Sequence, residues 1–186
     1  MNNDTNLLHS SPSEPSYDEL SHLDAQGNAR MVDVGQKNAT VRTATAIGWV
    51  CFPPDVYQQI RTTDGQTKKG AIIEVARLAG IMGAKKTPDL IPLCHGLMLD
   101  KVDVNFAYED EGHRVEVTAT AKVTGKTGVE MEALTAVSIA CLTIYDMTTA
   151  LSHDIQIESI QLMSKTGGKR DFKRASTAMS SYNVNL

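Results

Sequence analysis

Three acidic residues in one predicted helix are candidates for moving protons. Glu130, Glu132 and Asp146 fall in a segment, Thr127 to Leu151, whose apolar residues recur at helical spacing. Glu130 has a structural role available, because Thr127-Gly128-Val129-Glu130 matches the capping box S/T-x-x-E. Asp146 lies late in the helix, where a negative charge opposes the helix dipole. We therefore expect Asp146 to have a partner cation or a functional role.

The spacing of Glu132 and Asp146 limits how they can work together. They are 14 residues apart and nearly on one helical face, which separates them by about 21 Å along the axis. Two groups this far apart cannot serve one small-molecule site within a single subunit. Antiparallel pairing of the helix with its two-fold mate would bring Glu132 of one copy toward Asp146 of the other. This geometry predicts a site between subunits.

Lysines lie next to glycines in three short segments, residues 68–70, 125–128 and 167–169. Flexible backbone N–H groups next to ammonium groups suit phosphate binding, although for any one of these lysines a solvated surface position is the favoured interpretation. None forms a Walker A loop, since Thr120 stands where the first glycine of such a loop would precede Gly125. An ATPase is therefore not favoured.

An irregular apolar segment runs from Thr87 to Leu99 and carries His95 next to Cys94. Two prolines and a glycine forbid a continuous helix there. The segment is either a core-crossing loop with a hydrogen-bonded histidine or the wall of a pocket. We interpret the thiol of Cys94 as a packing group in either case. The three cysteines form no CxxC motif, and their number and spacing indicate reduced thiols and predict no structural metal site.

Composition restricts the class of protein. The net charge of −4 comes from residues 1–30, which carry five acidic side chains against Arg30, and leaves the rest neutral. A neutral folded part with 5% aromatic residues and no aromatic RNP signature argues against nucleic-acid binding. No apolar run approaches the roughly 20 residues of a membrane helix, and no secretory signal is evident. We expect a cytoplasmic protein with a disordered acidic tail (1–28), one domain (29–172) and a C-terminal tail (173–186).

The remaining patterns predict the elements that position these residues. Alternating apolar residues predict strands over 41–51, 101–108, 114–123 and 155–163, and helical periodicity predicts helices over 68–86 and 127–151, with a short helix from Pro54 to Ile60. The acidic turn Glu109–Gly112 joins the second and third strands as a hairpin. The order strand, helix, strand, strand, helix, strand is the α+β, ferredoxin-like split βαβ arrangement, with an antiparallel sheet backed by two helices.

Several long and specific motifs stand out in the sequence: His22-Leu23-Asp24, Met31–Val34, Ala76–Gly80, Asp89–His95, Thr124–Ala136, Leu142–Met147 and Ser164–Lys169. With these motifs the sequence resembles the cyclic pyranopterin monophosphate synthase (MoaC) family over about residues 20–172. The resemblance implies a lyase of molybdenum cofactor biosynthesis. Its substrate is 3′,8-cyclo-7,8-dihydroguanosine 5′-triphosphate, and its products are cyclic pyranopterin monophosphate and pyrophosphate. It also implies a homohexamer, arranged as a trimer of dimers with sites between subunits, and no redox cofactor.

The resemblance also implies roles for individual residues. The catalytic aspartate of the family falls on Asp146, and Lys69 and His95 are the other implied catalytic groups. Implied substrate contacts fall on Leu93, Cys94, His95, Met131, Glu132, Glu130, Lys85 and Lys165. Aspartate, histidine and lysine can move the protons that a ring rearrangement requires, and lysines can stabilise charge on a leaving pyrophosphate.

One position departs from the family. Thr149, three residues after Asp146, stands where the family normally has a lysine. A threonine cannot supply a cation or act as a comparable acid. Either another lysine reaches the site, or the chain is a weakened or non-catalytic relative that binds pterin or nucleotide phosphates, or the sequence has been altered at this position.

Overall fold

The computed structural model describes residues 26–175. The chain divides into two compact units, residues 1–32 and 33–186, and every element discussed below belongs to the second. The two tails expected from the sequence, 1–28 and 173–186, lie almost wholly outside the described residues.

Seven strands and four helices are assigned among the described residues. In chain order they are β1 Thr40–Cys51, α1 Pro54–Thr62, β2 Gln66–Thr67, β3 Gly70–Ala71, α2 Ile72–Lys85, α3 Thr87–Leu90, β4 Lys101–Glu109, β5 Arg114–Gly125, α4 Glu130–Thr148, β6 Gln156–Thr166 and β7 Phe172–Lys173. The main sheet has the order β4-β5-β1-β6-β7 with antiparallel neighbours. The predicted ferredoxin-like arrangement is confirmed, with β1, β4, β5 and β6 as its four strands.

The two long helices cover one face of this sheet. Alternate residues of β1 and β5 are buried there, for example Ala46 opposite Ala119 and Val50 opposite Val115. The alternation is the period of two expected for strands with one face on the core. The small side chains at the centre leave room for α4, whose Ala133, Ala136, Val137, Ala140 and Cys141 are all buried.

Helices α2 and α4 pack closely and run antiparallel. Lys69, just before α2, contacts Asp146 in the last turn of α4, whereas Gly83 near the end of α2 faces Ile139. A Cβ on Gly83 would lie 2.8 Å from Ile139 Cγ1, and one on Gly80 would lie 2.9 Å from the Ala136 carbonyl oxygen. The glycines are therefore sites of close helix packing.

Two predicted helix starts are wrong. Helix α2 begins at Ile72 instead of Lys68, because residues 66–71 form the small β2–β3 hairpin in which Gly70 has a φ of +113°. Helix α4 begins at Glu130 with Val129 as its N-cap and no side-chain cap hydrogen bond, so the capping box is not formed. The Thr127 hydroxyl instead donates to the Gly128 carbonyl oxygen. None of the helices in the described part of the chain is long and apolar enough to cross a membrane.

Candidate active site

Helix α4 carries acidic side chains at both of its ends. Glu130 and Glu132 lie in its first turn and Asp146 in its last. Because all three belong to one continuous helix, the first and last are about 21 Å or more apart along the axis. The structure thus holds two separate clusters of polar groups, which we call the N-terminal and C-terminal half-sites of α4.

The C-terminal half-site is built on the pairing of Lys69 with Asp146. The Lys69 ammonium lies 2.8 Å from Asp146 Oδ2 and donates a second hydrogen bond, also 2.8 Å, to the Asp146 carbonyl oxygen. The β2–β3 turn holds the lysine in place, since its backbone N–H donates to the Thr67 hydroxyl. The sequence-based expectation of a partner cation for Asp146 is confirmed, and both side chains are exposed to solvent.

Thr149 caps the same end of α4. Its backbone N–H donates to the Tyr145 carbonyl oxygen at 2.7 Å, and its hydroxyl lies 3.4 Å from Nδ1 of His153. The chain turns back on itself between Thr148 and Leu151, where the Leu151 N–H donates to the Thr148 carbonyl oxygen. That turn places the imidazole of His153 beside Thr149, the position at which this sequence differs from the family motif.

The N-terminal half-site joins α4 to the end of β6. Lys165 pairs across the sheet with Ala44, whose side chain is buried under the helices, so the lysine projects from the same face. Its ammonium lies 2.8 Å from Glu130 Oε1. Glu130 therefore serves an ion pair between helix and sheet, a role that replaces the capping-box role predicted for it.

Glu132 is the buried acid of this cluster. Glu132 is only 3% exposed. Burial raises the pKa of its carboxyl, and the nearby charge of Glu130 adds to the rise. Desolvation favours the neutral form of a carboxyl group. Glu132 can therefore hold a proton more readily than a solvated glutamate.

The segment containing His95 lies against this half-site. Leu93, Cys94 and His95 are each half-buried. Burial and the neighbouring Glu132 raise the pKa of the Cys94 thiol, which places the thiol near that acid. The core-crossing alternative is wrong within one subunit, because Leu90 and Met98 of the same segment are exposed. The segment lies at the edge of the helix layer instead.

The two other residues implied by the family motif lie near the same end of the helix layer. Met131 follows Glu130 in the first turn of α4 and is half-buried, and Lys85 is the exposed last residue of α2. Since α2 and α4 run antiparallel, the end of α2 lies beside the start of α4. The structure thus brings Lys85, Met131, Glu130, Glu132, Lys165 and the Leu93–His95 segment to one end, and Lys69 and Asp146 to the other.

Two of the three glycine–lysine clusters meet at the start of β1. Thr40 pairs with Gly125, and its hydroxyl donates to the Gly167 carbonyl oxygen. Arg42 lies between the two loops and donates from Nε to the Gly125 carbonyl oxygen at 3.0 Å. Sequence reasoning did not identify Arg42, because an alternating strand pattern marks it only as a strand residue. Lys126 donates to the Gly35 carbonyl oxygen at 2.7 Å.

A separate cavity of about 500 Å³ lies between α1 and the β4–β5 turn. It is lined by Tyr57, Gln58, Arg61, Thr62, Asp64, Asp110 and His113, none of which the sequence identified as a site residue. Tyr57 and Arg61 both contact Asp110, so these polar groups of the cavity wall already bind one another. Among the described residues, no cluster of three or more His, Cys, Asp or Glu side chains could hold a metal ion.

Comparison with known proteins gives a consistent picture. The model of the MoaC family matches residues 31–168. The chain is 53% identical over 164 residues to the cyclic pyranopterin monophosphate synthase of Chloroflexus aggregans, covering 88% of this chain and 98% of that protein. It is 55% identical over 156 residues to the protein of the same name from Parvibaculum lavamentivorans, covering 83% and 96%. Molybdenum cofactor biosynthesis protein 1 of Drosophila melanogaster is 51% identical over 158 residues, which are 85% of this chain and 28% of that protein.

Proposed function

The chain belongs to the MoaC family, and on that premise we propose that it is the lyase that makes cyclic pyranopterin monophosphate. The substrate is 3′,8-cyclo-7,8-dihydroguanosine 5′-triphosphate, and pyrophosphate is the second product. The reaction is a step of molybdenum cofactor biosynthesis. The observation in the structure that carries the proposal is the contact of Lys69 with Asp146, which joins the two family residues most directly suited to proton transfer.

The proposed roles follow from the chemistry of each group. Asp146, Lys69 and His95 move protons during the ring rearrangement. Lys165 and Lys85 bind the triphosphate and stabilise negative charge on the leaving pyrophosphate. Glu130 orients Lys165 through their ion pair. Leu93, Cys94, Met131 and Glu132 form the wall against which the substrate lies.

We further propose that the complete site lies between subunits of a homohexamer, a trimer of dimers. The support is that each half-site of α4 lacks the groups present at the other, and that α4 separates them by about 21 Å. An antiparallel α4 from a second copy would place its Asp146 and Lys69 beside Glu132 and His95 of the first.

The outer surface of the helix layer is suited to such a contact. Leu78 and Met82 on α2 are 62% and 63% exposed, and Leu142 on α4 is 54% exposed. Val75, Leu78 and Met82 follow one another at helical spacing, so they form one apolar stripe. Contiguous exposed apolar side chains of this kind are typical of a protein interface.

The remaining elements of the proposal concern the whole chain. We propose that residues 29–172 form the catalytic subunit, that the enzyme is cytoplasmic, and that its partner is the small-molecule substrate, with no role in binding nucleic acid or membranes. The neutral charge of the part beyond residue 30 supports the last point.

A single-turnover assay with the cyclised GTP intermediate tests the function. With enzyme in excess, the full-length protein should release one pyrophosphate per substrate and form the cyclic monophosphate, while uncyclised GTP should release none. Tight binding of the intermediate without pyrophosphate would contradict the proposal. That result would instead favour the non-catalytic relative that Thr149 raises as an alternative.

A further inference from the structure

The position of His153 bears on how a chain with threonine at position 149 can complete its chemistry. The hydroxyl of Thr149 lies 3.4 Å from His153 Nδ1. His153 itself is exposed. Two features of the backbone hold it there: the turn from Thr148 to Leu151, and the hydrogen bond from the Asp154 N–H to the Ser152 hydroxyl at 3.0 Å.

The same geometry places the imidazole at the C-terminal half-site. Residues three apart on a helix have Cβ atoms roughly 5–6 Å from each other, so Thr149 is the helical neighbour of Asp146. Asp146 in turn holds Lys69 at 2.8 Å. Asp146 and its partner Lys69 thus lie one helical turn before Thr149, and Asp154 follows His153 in the chain.

A histidine in this place has the chemistry that a threonine lacks. Imidazole as a chemical group can carry a positive charge and can exchange protons at pH values near neutrality. The Thr149 hydroxyl can accept a hydrogen bond from Nδ1–H, which leaves Nε2 facing away from Thr149 with a lone pair that can take and return a proton. In that arrangement the contact orients the ring, whereas a hydroxyl that donates to Nδ1 would favour the other tautomer.

We propose that His153 is a further catalytic residue of this half-site and that Thr149 is its positioning residue. His153 exchanges a proton with the substrate through Nε2, while the neighbouring Asp146–Lys69 pair handles a second proton. The inference deepens the proposed function and rests on it. It assigns to residues 149 and 153 together the basic group that position 149 alone does not supply.

The test compares three variants of the full-length protein in steady-state and single-turnover assays with the cyclised GTP intermediate. His153→Gln keeps a polar side chain but removes the exchangeable charge. It should lower kcat about 10²-fold with KM changed less than about twofold. Thr149→Val removes only the hydroxyl and should lower kcat about tenfold by misplacing the ring. Their combination should be no worse than His153→Gln alone, because the two residues act as a unit.

A rescue and a control complete the design. Thr149→Lys added to His153→Gln should restore most of the lost kcat, since it returns a cation and proton donor to the same place. His113→Asn is the matched control: His113 lies in the β4–β5 turn with a φ of +50°, which asparagine tolerates, and its kcat should equal that of the parent. All variants are first checked for parent-like circular dichroism and oligomer size.

The outcomes separate the two proposals. An active parent together with His153→Gln of unchanged kcat would overturn the inference and leave the function intact. Additive losses in the double variant would overturn the positioning role of Thr149. A parent protein that binds the intermediate but releases no pyrophosphate would overturn the proposed function and this inference with it.

Discussion

Lys69 contacts Asp146 twice, through the carboxylate and through the carbonyl oxygen, each at 2.8 Å. The carbonyl is one of the last in α4, where the helix leaves its acceptors without internal partners and carries partial negative charge. One ammonium group therefore satisfies a helix-end acceptor and balances an acid that would otherwise oppose the dipole. Both side chains are exposed, so substrate can reach both.

Removing either partner should affect catalysis far more than stability. Lys69→Met or Asp146→Asn should lower kcat by roughly 10² to 10⁴, the usual contribution of a proton-transfer group. Both side chains are more than half exposed, and exposed ion pairs contribute only about 0–1 kcal/mol to folding. Single-turnover release of pyrophosphate measures the first effect, and urea unfolding at fixed protein concentration measures the second.

A second surface pair provides the control. Lys101 and Asp103 lie 2.7 Å apart with similar exposure, on β4 and away from both half-sites. Lys101→Met should leave kcat unchanged and shift the free energy of unfolding by the same small amount. Equal kcat in the Lys69→Met and Lys101→Met proteins would show that the Lys69 contact is only structural.

Mixing two inactive variants should restore activity if each site is shared between subunits. Glu132→Gln and Asp146→Asn, which preserve side-chain shape, should each be inactive alone. In a randomly mixed dimer half the dimers are hybrids and one of their two sites is intact, so recovery should reach about a quarter of the parent activity. Denaturing and refolding the two proteins together, followed by the pyrophosphate assay, measures this.

A mixture that stays inactive would place the whole site within one subunit. The matched control mixes Asp146→Asn with Lys69→Met. These residues share one half-site, so in every hybrid dimer of the proposed geometry each of the two sites carries one of the substitutions, and no activity should be recovered. Mixing Glu132→Gln with the double variant Glu132→Gln/Asp146→Asn should give no recovery, since no site is then intact.

Stability should fall with rising pH through the titration of Glu132. Burial raises the pKa of its carboxyl, so between the unfolded and folded pKa values the native state binds more protons than the unfolded state. The free energy of unfolding then decreases as pH increases through that window. Glu132→Gln should be more stable than the parent at neutral pH, and this difference should vanish below pH 4.5, the unperturbed value.

Urea unfolding at about pH 4 and pH 8 checks the sign of this effect. The exposed turn residue Glu111 supplies the control, and Glu111→Gln should show little difference from the parent at either pH. A Glu132→Gln protein that loses stability at neutral pH would contradict the expectation. Protein concentration must be held constant, since subunit association contributes to apparent stability.

Local sequence patterns were sufficient to predict most of the fold. The alternation in β4 and β5 and the acidic turn between them predict a hairpin, which the structure confirms, with Val104 opposite Ala119. Helix α4 has a strong apolar period, so its existence was predicted and only its first and last residues were wrong. These features depend on residues close together in the chain, where periodicity carries the information.

The site depended on contacts that no local pattern encodes. The capping-box prediction failed because Glu130 binds Lys165, 35 residues later in the chain, and this long-range pairing competes with the local motif. The sequence predicted the type of partner for Asp146, a cation, but its identity as Lys69 depends on the β2–β3 hairpin, which sets this lysine against α4. His153 was not identified at all, because its relevance comes from the turn that returns it to Thr149.

The thiol of Cys94 should prove dispensable, although it lies in the segment that forms the pocket wall. Burial, with Glu132 adding to it, raises the pKa of this thiol, so less thiolate is present at neutral pH than for a solvated cysteine. The thiolate is the nucleophilic form, and a suppressed thiolate argues for packing. Cys94→Ala should therefore keep kcat close to that of the parent, with at most a small rise in KM from the lost side-chain volume.

Alkylation by iodoacetamide, followed by mass spectrometry of the Cys94 peptide, should be slow at pH 7 and accelerate only at alkaline pH. Rapid alkylation at neutral pH together with a large loss of kcat in Cys94→Ala would instead make the thiol part of the chemistry.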